Sequence, residues 1–342
     1  MVENKVKTQS QKLIQLVDTL PECCYSFLLE TGTERALSTR ISYARELKRF
    51  FDWLILSHPD FCIFDEAKDI PETLLSHITS QDISRYTTQY KDEGHKERST
   101  ALKRNALSAY FGYMVDNRKI EYNPVVASAK IKIHTSDTVI YLNIDEQNRF
   151  MDAVYNGTGL TKHQQELHER YRLRDIAMVS LMLDTGMRVS ELCGINLIDV
   201  SLEDASVIVT RKGGNLQTLY YSDDTKGMLD DYIEYRRMYN PTLMMSEPLF
   251  VNLKNERLTT NGVWRLVTKY ASAALPGKGD KISPHKLRSS FAMELYRAKQ
   301  DILLVQRSLG HKNLTATNIY AKATDAEMRN ARNVLADIRA SR

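Results

Sequence analysis

Ser206-Val207-Ile208-Val209-Thr210-Arg211 and Leu216-Gln217-Thr218-Leu219-Tyr220-Tyr221 flank the tetrapeptide Lys212-Gly213-Gly214-Asn215. Two runs rich in β-branched and aromatic residues, joined by a short glycine-containing connection, read as an antiparallel hairpin. It is the one clear β signal in the chain. The turn sets Lys212 at the hairpin tip, where a flexible ammonium can reach into a neighbouring cleft.

Outward from the hairpin, helical periodicity dominates. Leu37 to Leu56 spaces Ile41, Ala44, Leu47, Phe50, Phe51 and Leu54 as one helical stripe, with Ser38 as N-cap. Asp82 to Tyr90 and Thr100 to Val115 are also amphipathic, the second with Leu102, Ala106, Leu107, Tyr110, Phe111 and Met114 on one side. These segments predict a helical domain over residues 18–125, preceded by an N-terminal extension over 1–17 containing a short helix from about Ser10. Asn123-Pro124 ends that domain, and residues 126–141 lack any helical period and read as a linker. Asn143 caps a helix that opens a second domain over 142–324, and residues 325–342 form a last helix. The polar segment Tyr155 to Arg174 reads as a surface elaboration; its His163 and His168, five apart, are poorly spaced to share a metal. The fold class is therefore mainly α with a small antiparallel β-sheet, in two domains.

Composition sets outer limits. The 342 residues are 42% hydrophobic and 26% charged, enough for two proper cores. No stretch approaches the roughly 18 apolar residues that cross a bilayer, and the lysines of the first residues have no apolar run behind them. Cys23, Cys24, Cys62 and Cys193 form no C-x-x-C pair and no disulfide framework. A reduced, cytoplasmic protein without a membrane partner is expected. The net charge is only +4, but Lys281 to Lys312 holds seven basic residues against two acidic ones. Such clustering is the footprint of phosphate contacts.

That basic stretch contains Ser283-Pro284-His285-Lys286-Leu287-Arg288 and Leu309-Gly310-His311, with Tyr320 beyond it and Thr185-Gly186-Met187-Arg188 upstream. His285 and Arg288, three apart, share a helix face, and Pro284 suits the first turn of that helix. Backbone N–H groups at such a helix start favour an anion. Leu309-Gly310 reads as a helix end, and a short helix from Asn313 carries Tyr320. Taken singly, each residue has a plainer reading; Arg188, for one, can simply pair with Glu191 on its own helix. Taken in order, they meet the needs of transesterification at a phosphodiester. A phenolic oxygen attacks and forms a reversible ester. Guanidinium forks hold the non-bridging oxygens of the five-coordinate phosphate. Lysine or histidine moves the protons.

The same ordered set resembles the tyrosine recombinase (phage integrase-like) family. Thr185 to Leu192 is similar to the family's first arginine box and Lys212 to its lysine on a β-hairpin. His285 to Arg288 is similar to its H-x-x-R box, Leu309 to His311 to its L-G-H box, and Tyr320 to its nucleophile. The resemblance covers the whole second domain, and more loosely the first, which looks like the family's core-binding domain. It implies a site-specific recombinase or integrase working through a 3′-phosphotyrosyl link, closer to Xer-like or mobile-element members. Arg188, Lys212, His285, Arg288, His311 and Tyr320 would be its catalytic set. Because the bond energy stays in the ester, neither cofactor nor metal is implied. The implied partner is double-stranded DNA with specific core sites, with Arg40, Arg45, Lys48, Arg98, Lys103, Arg104 and Lys286 as candidate DNA contacts. The resemblance also implies a homotetramer on two duplexes, a monomer or weak dimer off DNA, an accessory protein in some settings, and exchange of the last helix between protomers. Two other readings share these residues: a type IB topoisomerase-like relaxase and a catalytically inactive DNA-binding regulator.

Overall fold

The structure is a computed structural model that describes residues 2–29, 35–131, 139–211, 213–311, 313–314 and 317–323. It divides into two compact units, residues 1–135 and 136–342. Among the described residues no helix is long and apolar enough to cross a membrane.

The first unit is helical: α1 (Val2–Val17), α2 (Cys24–Leu29), α3 (Leu37–Ser57), α4 (Ser80–Asp92), α5 (Glu97–Asp116) and α6 (Pro124–Ala127). α3 buries Ile41, Ala44, Leu47, Phe50, Phe51 and Leu54, the stripe its spacing predicts. The helix begins one residue before Ser38, however, with Ala36 at the N-cap and no side-chain cap bond. Phe50 and Phe51 meet Phe111 and Tyr110 edge to face at 88° and 84°, the arrangement that aromatic quadrupoles favour. α1 lies along α3 and gives Leu13 and Val17 to the same core. The C-terminal half of α1 thus packs in this core through Leu13, Leu16 and Val17. α6 sits in this unit and runs two residues into the stretch that lacks helical period.

α5 corrects the sequence reading by one position. Its buried face is Thr100, Lys103, Ala106, Leu107, Tyr110, Phe111 and Met114, while Leu102 is 64% exposed. Successive helical positions differ by about 100°, so the face that includes Lys103 excludes Leu102. An aliphatic residue points out and a lysine points in.

The second unit runs α7 (Ile144–Asn156), α8 (Lys162–Thr185), α9 (Val189–Leu192), β1 (Val200–Ser201), β2 (Ser206–Thr210), β3 (Leu216–Tyr220), α10 (Asp223–Tyr239), α11 (Thr260–Ala274), α12 (Pro284–Lys299) and α13 (Ile302–Leu309). The sheet is antiparallel in the order β1-β2-β3. Val207 faces Leu219 and Val209 faces Gln217 across the expected hairpin. Asn143 caps α7 as its sequence predicts, with Glu146 completing a reciprocal capping box. The described end of the expected linker, Val139 and Tyr141, packs on a small cluster formed by α12 and α13. The Leu142 N–H donates to Ser290 Oγ at 2.8 Å, tying the start of the unit to α12.

The polar segment Tyr155 to Arg174 is largely at the surface, but it is helical and not wholly exposed. From Lys162 onward it is the first half of the 24-residue α8. His168 lies 4% exposed, its Nδ1 2.9 Å from Tyr270 Oη, which in turn donates to Asp175 Oδ2 at 2.8 Å. A buried polar chain hidden under charged neighbours is what composition alone obscures.

α8 ends at Gly186, whose φ is +58°; a Cβ there would stand 2.3 Å from Phe291 Cδ1. Gly186→Ala should destabilise the second unit by about 1–3 kcal/mol from backbone strain alone, with Phe291 displaced besides. Urea unfolding of the full-length protein measures this, and an unchanged midpoint would contradict the described packing.

Candidate active site

Arg288 is the hub of the site. It lies in the second turn of α12 and is 2% exposed. Its Nη1 donates to the Gly186 carbonyl at 2.7 Å and its Nη2 to the Leu309 carbonyl at 2.6 Å. Gly186 is the left-handed C-cap of α8, and Leu309 is the last residue of α13, followed by Gly310 in the same left-handed conformation. Helix C-termini carry unsatisfied carbonyls and partial negative charge, so both attract a cation. Burial first, then the charges of Arg188 and Arg211, push the Arg288 pKa down to about 10. It remains charged at neutral pH.

Arg188 stands at the N-terminus of α9 and pairs with Glu191 at 2.8 Å through Nη1. The plainer reading of Arg188 as an ion-pair partner is therefore correct as far as it goes, but the pair has a third member. Glu191 is 4% exposed; its Oε1 accepts from Arg188 Nη1, and its Oε2 accepts from the Arg188 main-chain N–H and from Arg211 Nη1. Burial raises the Glu191 pKa, but the bonds from Arg188 and Arg211 outweigh it and hold the carboxyl below its ordinary range.

His311 follows the Gly310 turn. Its Nδ1 lies 3.0 Å from Thr317 Oγ1, and its main-chain N–H donates to the Gln306 carbonyl at 3.1 Å. Burial, then the positive fields of Arg288, Arg188, His285 and Arg211, lower its pKa to about 4. The imidazole is neutral at physiological pH. His285 is exposed on the first turn of α12, as Pro284 at that turn predicts.

Tyr320 lies in a helical turn over residues 318–323. It is 2% exposed and packs with Ala292, Met293, Val305 and Leu309 between α12 and α13. Burial raises its pKa, an effect that a hydrogen bond with Ser289 and the charge of Arg288 partly offset. The structure thus brings five of the six expected catalytic side chains into one electrostatically coupled pocket. The sixth, Lys212, lies outside the described residues, as does the helix expected over residues 325–342.

The expected DNA contacts fare unevenly. Arg45 and Arg98 are exposed, and Lys48 pairs with Asp52 at the surface. Arg40 donates to the Leu28 and Leu29 carbonyls, and Arg104 to the Val125 and Ser128 carbonyls, so both brace neighbouring helices. Lys103 is removed from the surface altogether. It is 2% exposed, paired with Glu46, and its ammonium lies 4.1 Å from the Tyr90 ring centroid. Lys286 is half-buried, which lowers its pKa.

Two residues that motif order does not reveal, Arg211 and Gln217, join the site. Strand alternation carries a signal for both. Arg211 has the parity of the buried Val207 and Val209, and Gln217 that of Leu219.

A mostly helical unit with a three-stranded antiparallel sheet, a buried arginine between two helix ends and a tyrosine beside it is the arrangement expected of the tyrosine-recombinase class. Residues 141–327 match the profile of the Phage integrase family, and the chain belongs to that family. It is a tyrosine site-specific recombinase. It is similar to tyrosine recombinase XerS of Lactococcus lactis subsp. lactis, 27% identical over 357 residues that cover 94% of this chain and 98% of the relative. Tyrosine recombinase XerC of Thermodesulfovibrio yellowstonii is 28% identical over 284 residues, 82% of this chain and 83% of the relative. Among solved structures, the XerH site-specific recombinase bound to palindromic difH substrate shares the fold at a TM-score of 0.67 and 22% identity, over 95% of this chain and 89% of that one. The Tn1549 transposon integrase in complex with a circular intermediate DNA does so at 0.65 and 18%, over 91% and 99%.

The depressed His311 pKa has a sign that can be tested. Between the unfolded value of 6.5 and the folded value of about 4, the unfolded chain binds the proton more readily, so acidification through that window destabilises the native state. The urea midpoint should fall more between pH 7 and pH 5 in the parent than in His311→Asn. Equal falls would place the imidazole in an unperturbed environment.

Proposed function

We propose that this recombinase cuts and rejoins double-stranded DNA at specific core sites, with Tyr320 as the nucleophile. The Tyr320 Oη–phosphorus bond forms while the phosphorus–5′-oxygen bond breaks, leaving a 3′-phosphotyrosyl ester and a free 5′ hydroxyl. Attack by that hydroxyl of a partner strand reverses the step and completes exchange. The single observation behind this is the position of Arg288, a fully buried guanidinium next to Tyr320 and coupled to Arg188. Arg188 and Arg288 hold the non-bridging oxygens, and their fixed charges offset the negative charge gathering on phosphorus. Neutral His311 donates a hydrogen bond to the phosphate. His285 takes the phenolic proton, and Lys212, next to the hairpin's two glycines, gives one to the departing 5′ oxygen. Arg45, Arg98, Lys48 and Lys286 contact phosphates, and Arg40 and Arg104 add to these contacts.

The raised Tyr320 pKa bears on mechanism. A buried phenol is a poor nucleophile until its proton leaves, so an incoming phosphate and its neighbouring base act together. Strand exchange takes place in a cytoplasmic homotetramer on two duplexes, assembled from monomers or weak dimers, with residues from Asp325 onward docking on a neighbouring protomer. An accessory protein fits the same scheme.

Incubation with nicked genomic fragments should trap a covalent protein–DNA adduct whose sequenced junction gives the cleavage site. Tyr320→Phe should form none while still binding that site; an adduct in this variant would assign the nucleophile elsewhere. Supercoil relaxation without joining of two sites would favour the relaxase reading. Truncation before Asp325 should leave cleavage on a single site largely intact and reduce recombination between paired sites by at least about tenfold, the scale of a lost avidity contact. Undiminished recombination would refute docking of the tail.

A further inference from the structure

Arg211 stands immediately before Lys212 and is the one charged side chain that β2's alternation turns inward. It is 9% exposed. Its guanidinium donates in three directions: Nη1 to Glu191 Oε2 at 2.7 Å, Nε to Gln217 Oε1 at 2.7 Å, and Nη2 to the Ser308 carbonyl at 3.2 Å. Its own main-chain N–H closes the hairpin turn on the Asn215 carbonyl at 2.7 Å. Gln217 extends the set by donating to the Arg307 carbonyl at 3.3 Å. One planar cation therefore touches the carboxylate that holds Arg188, β3 of the hairpin, and the last turn of α13. That turn supplies the Leu309 carbonyl to Arg288 and leads directly into His311. Gly310 fits the same contact: a Cβ there would lie 3.1 Å from Arg211 Nε.

We infer that Arg211 is a positioning residue, acting through Glu191, Gln217 and Ser308 to hold Arg188, the hairpin turn and the His311 turn in one register for strand cleavage. The inference rests on the reading of Tyr320 and this pocket given above. Three acceptors on three elements, spread around one plane, match a guanidinium and not an ammonium. Lysine at this position keeps the charge but cannot reach Glu191, Gln217 and Ser308 together. Glutamine removes the charge as well, leaving the buried Glu191 with Arg188 as its remaining ion-pair partner among the described residues. Because Arg211 is inside, its loss should act on the arrangement of the reacting groups and not on the DNA-facing surface.

The test uses the full chain and a nicked duplex bearing the junction recovered by adduct trapping. Single-turnover adduct formation and DNA affinity are measured side by side for the parent, R211K, R211Q, E191Q and the R211K/E191Q double variant. R211K should slow cleavage by about tenfold or more and R211Q by about a hundredfold, the scale of a roughly ångström-sized misplacement, with affinity changed by less than about twofold. The double variant should lose less than the product of the two single losses, since both act on one network. R211K carries the test if R211Q does not fold. Parent-like cleavage by R211K, an affinity loss that matches the cleavage loss, or independent effects in the double variant would each overturn the inference. Failure of the parent to form any adduct would overturn the reaction reading and this inference with it, whereas an active parent beside an equally active R211K overturns the inference alone.

Discussion

A guanidinium buried without acceptors costs several kcal/mol, and the catalytic unit is arranged around avoiding that cost at Arg288. The acceptors are the terminal carbonyls of α8 and α13, at Gly186 and Leu309. For both to converge on one side chain, each helix must stop at a set point and turn aside at once. Gly186 and Gly310 do this in left-handed conformations, which glycine adopts with little strain. The placement of α8, α12 and α13 follows from this single interaction. The neighbouring segment carries Tyr320 into the cleft between α12 and α13.

The charge balance around the hub explains its chemistry. Arg188, Arg211 and Arg288 gather near one buried carboxylate, Glu191. One negative charge is enough to let three cations pack together and too little to neutralise them, so a positive field remains for an anion. Burial together with that field keeps His311 neutral, which suits it to donate a hydrogen bond without adding to the repulsion among the arginines. It also favours the phenolate form of Tyr320, although burial works against it.

Much of this was legible in the sequence because it is local. The hairpin, the stripe on α3, the Asn143 cap and the glycine end of α13 each follow from residues within one turn of one another. The order of the arginine, histidine and tyrosine boxes gave the family. What escaped depends on rotation or on distance. Leu102 and Lys103 exchange places because the face of α5 is set by packing against α3 and α4, and hydropathy alone favours the leucine. Lys103 inside and Glu46 opposite it form a pair whose partners stand 57 residues apart. His168 reads as part of a polar surface segment because its buried partner, Tyr270, lies 102 residues away. Arg211 was readable in principle from strand parity, yet its three acceptors come from three separate elements that no single window contains.

The cradle of Arg288 is made of main-chain oxygen, and every amino acid carries one. Drift in the side chains of Leu309 and its neighbours therefore cannot delete an acceptor, and evolution can rewrite the rest of α13 without touching the charge it holds. Helix length has no such freedom. One residue inserted within α8 would swing its final carbonyl by about 100° and carry it about 1.5 Å along the axis, so the pocket tolerates spelling errors far better than miscounting.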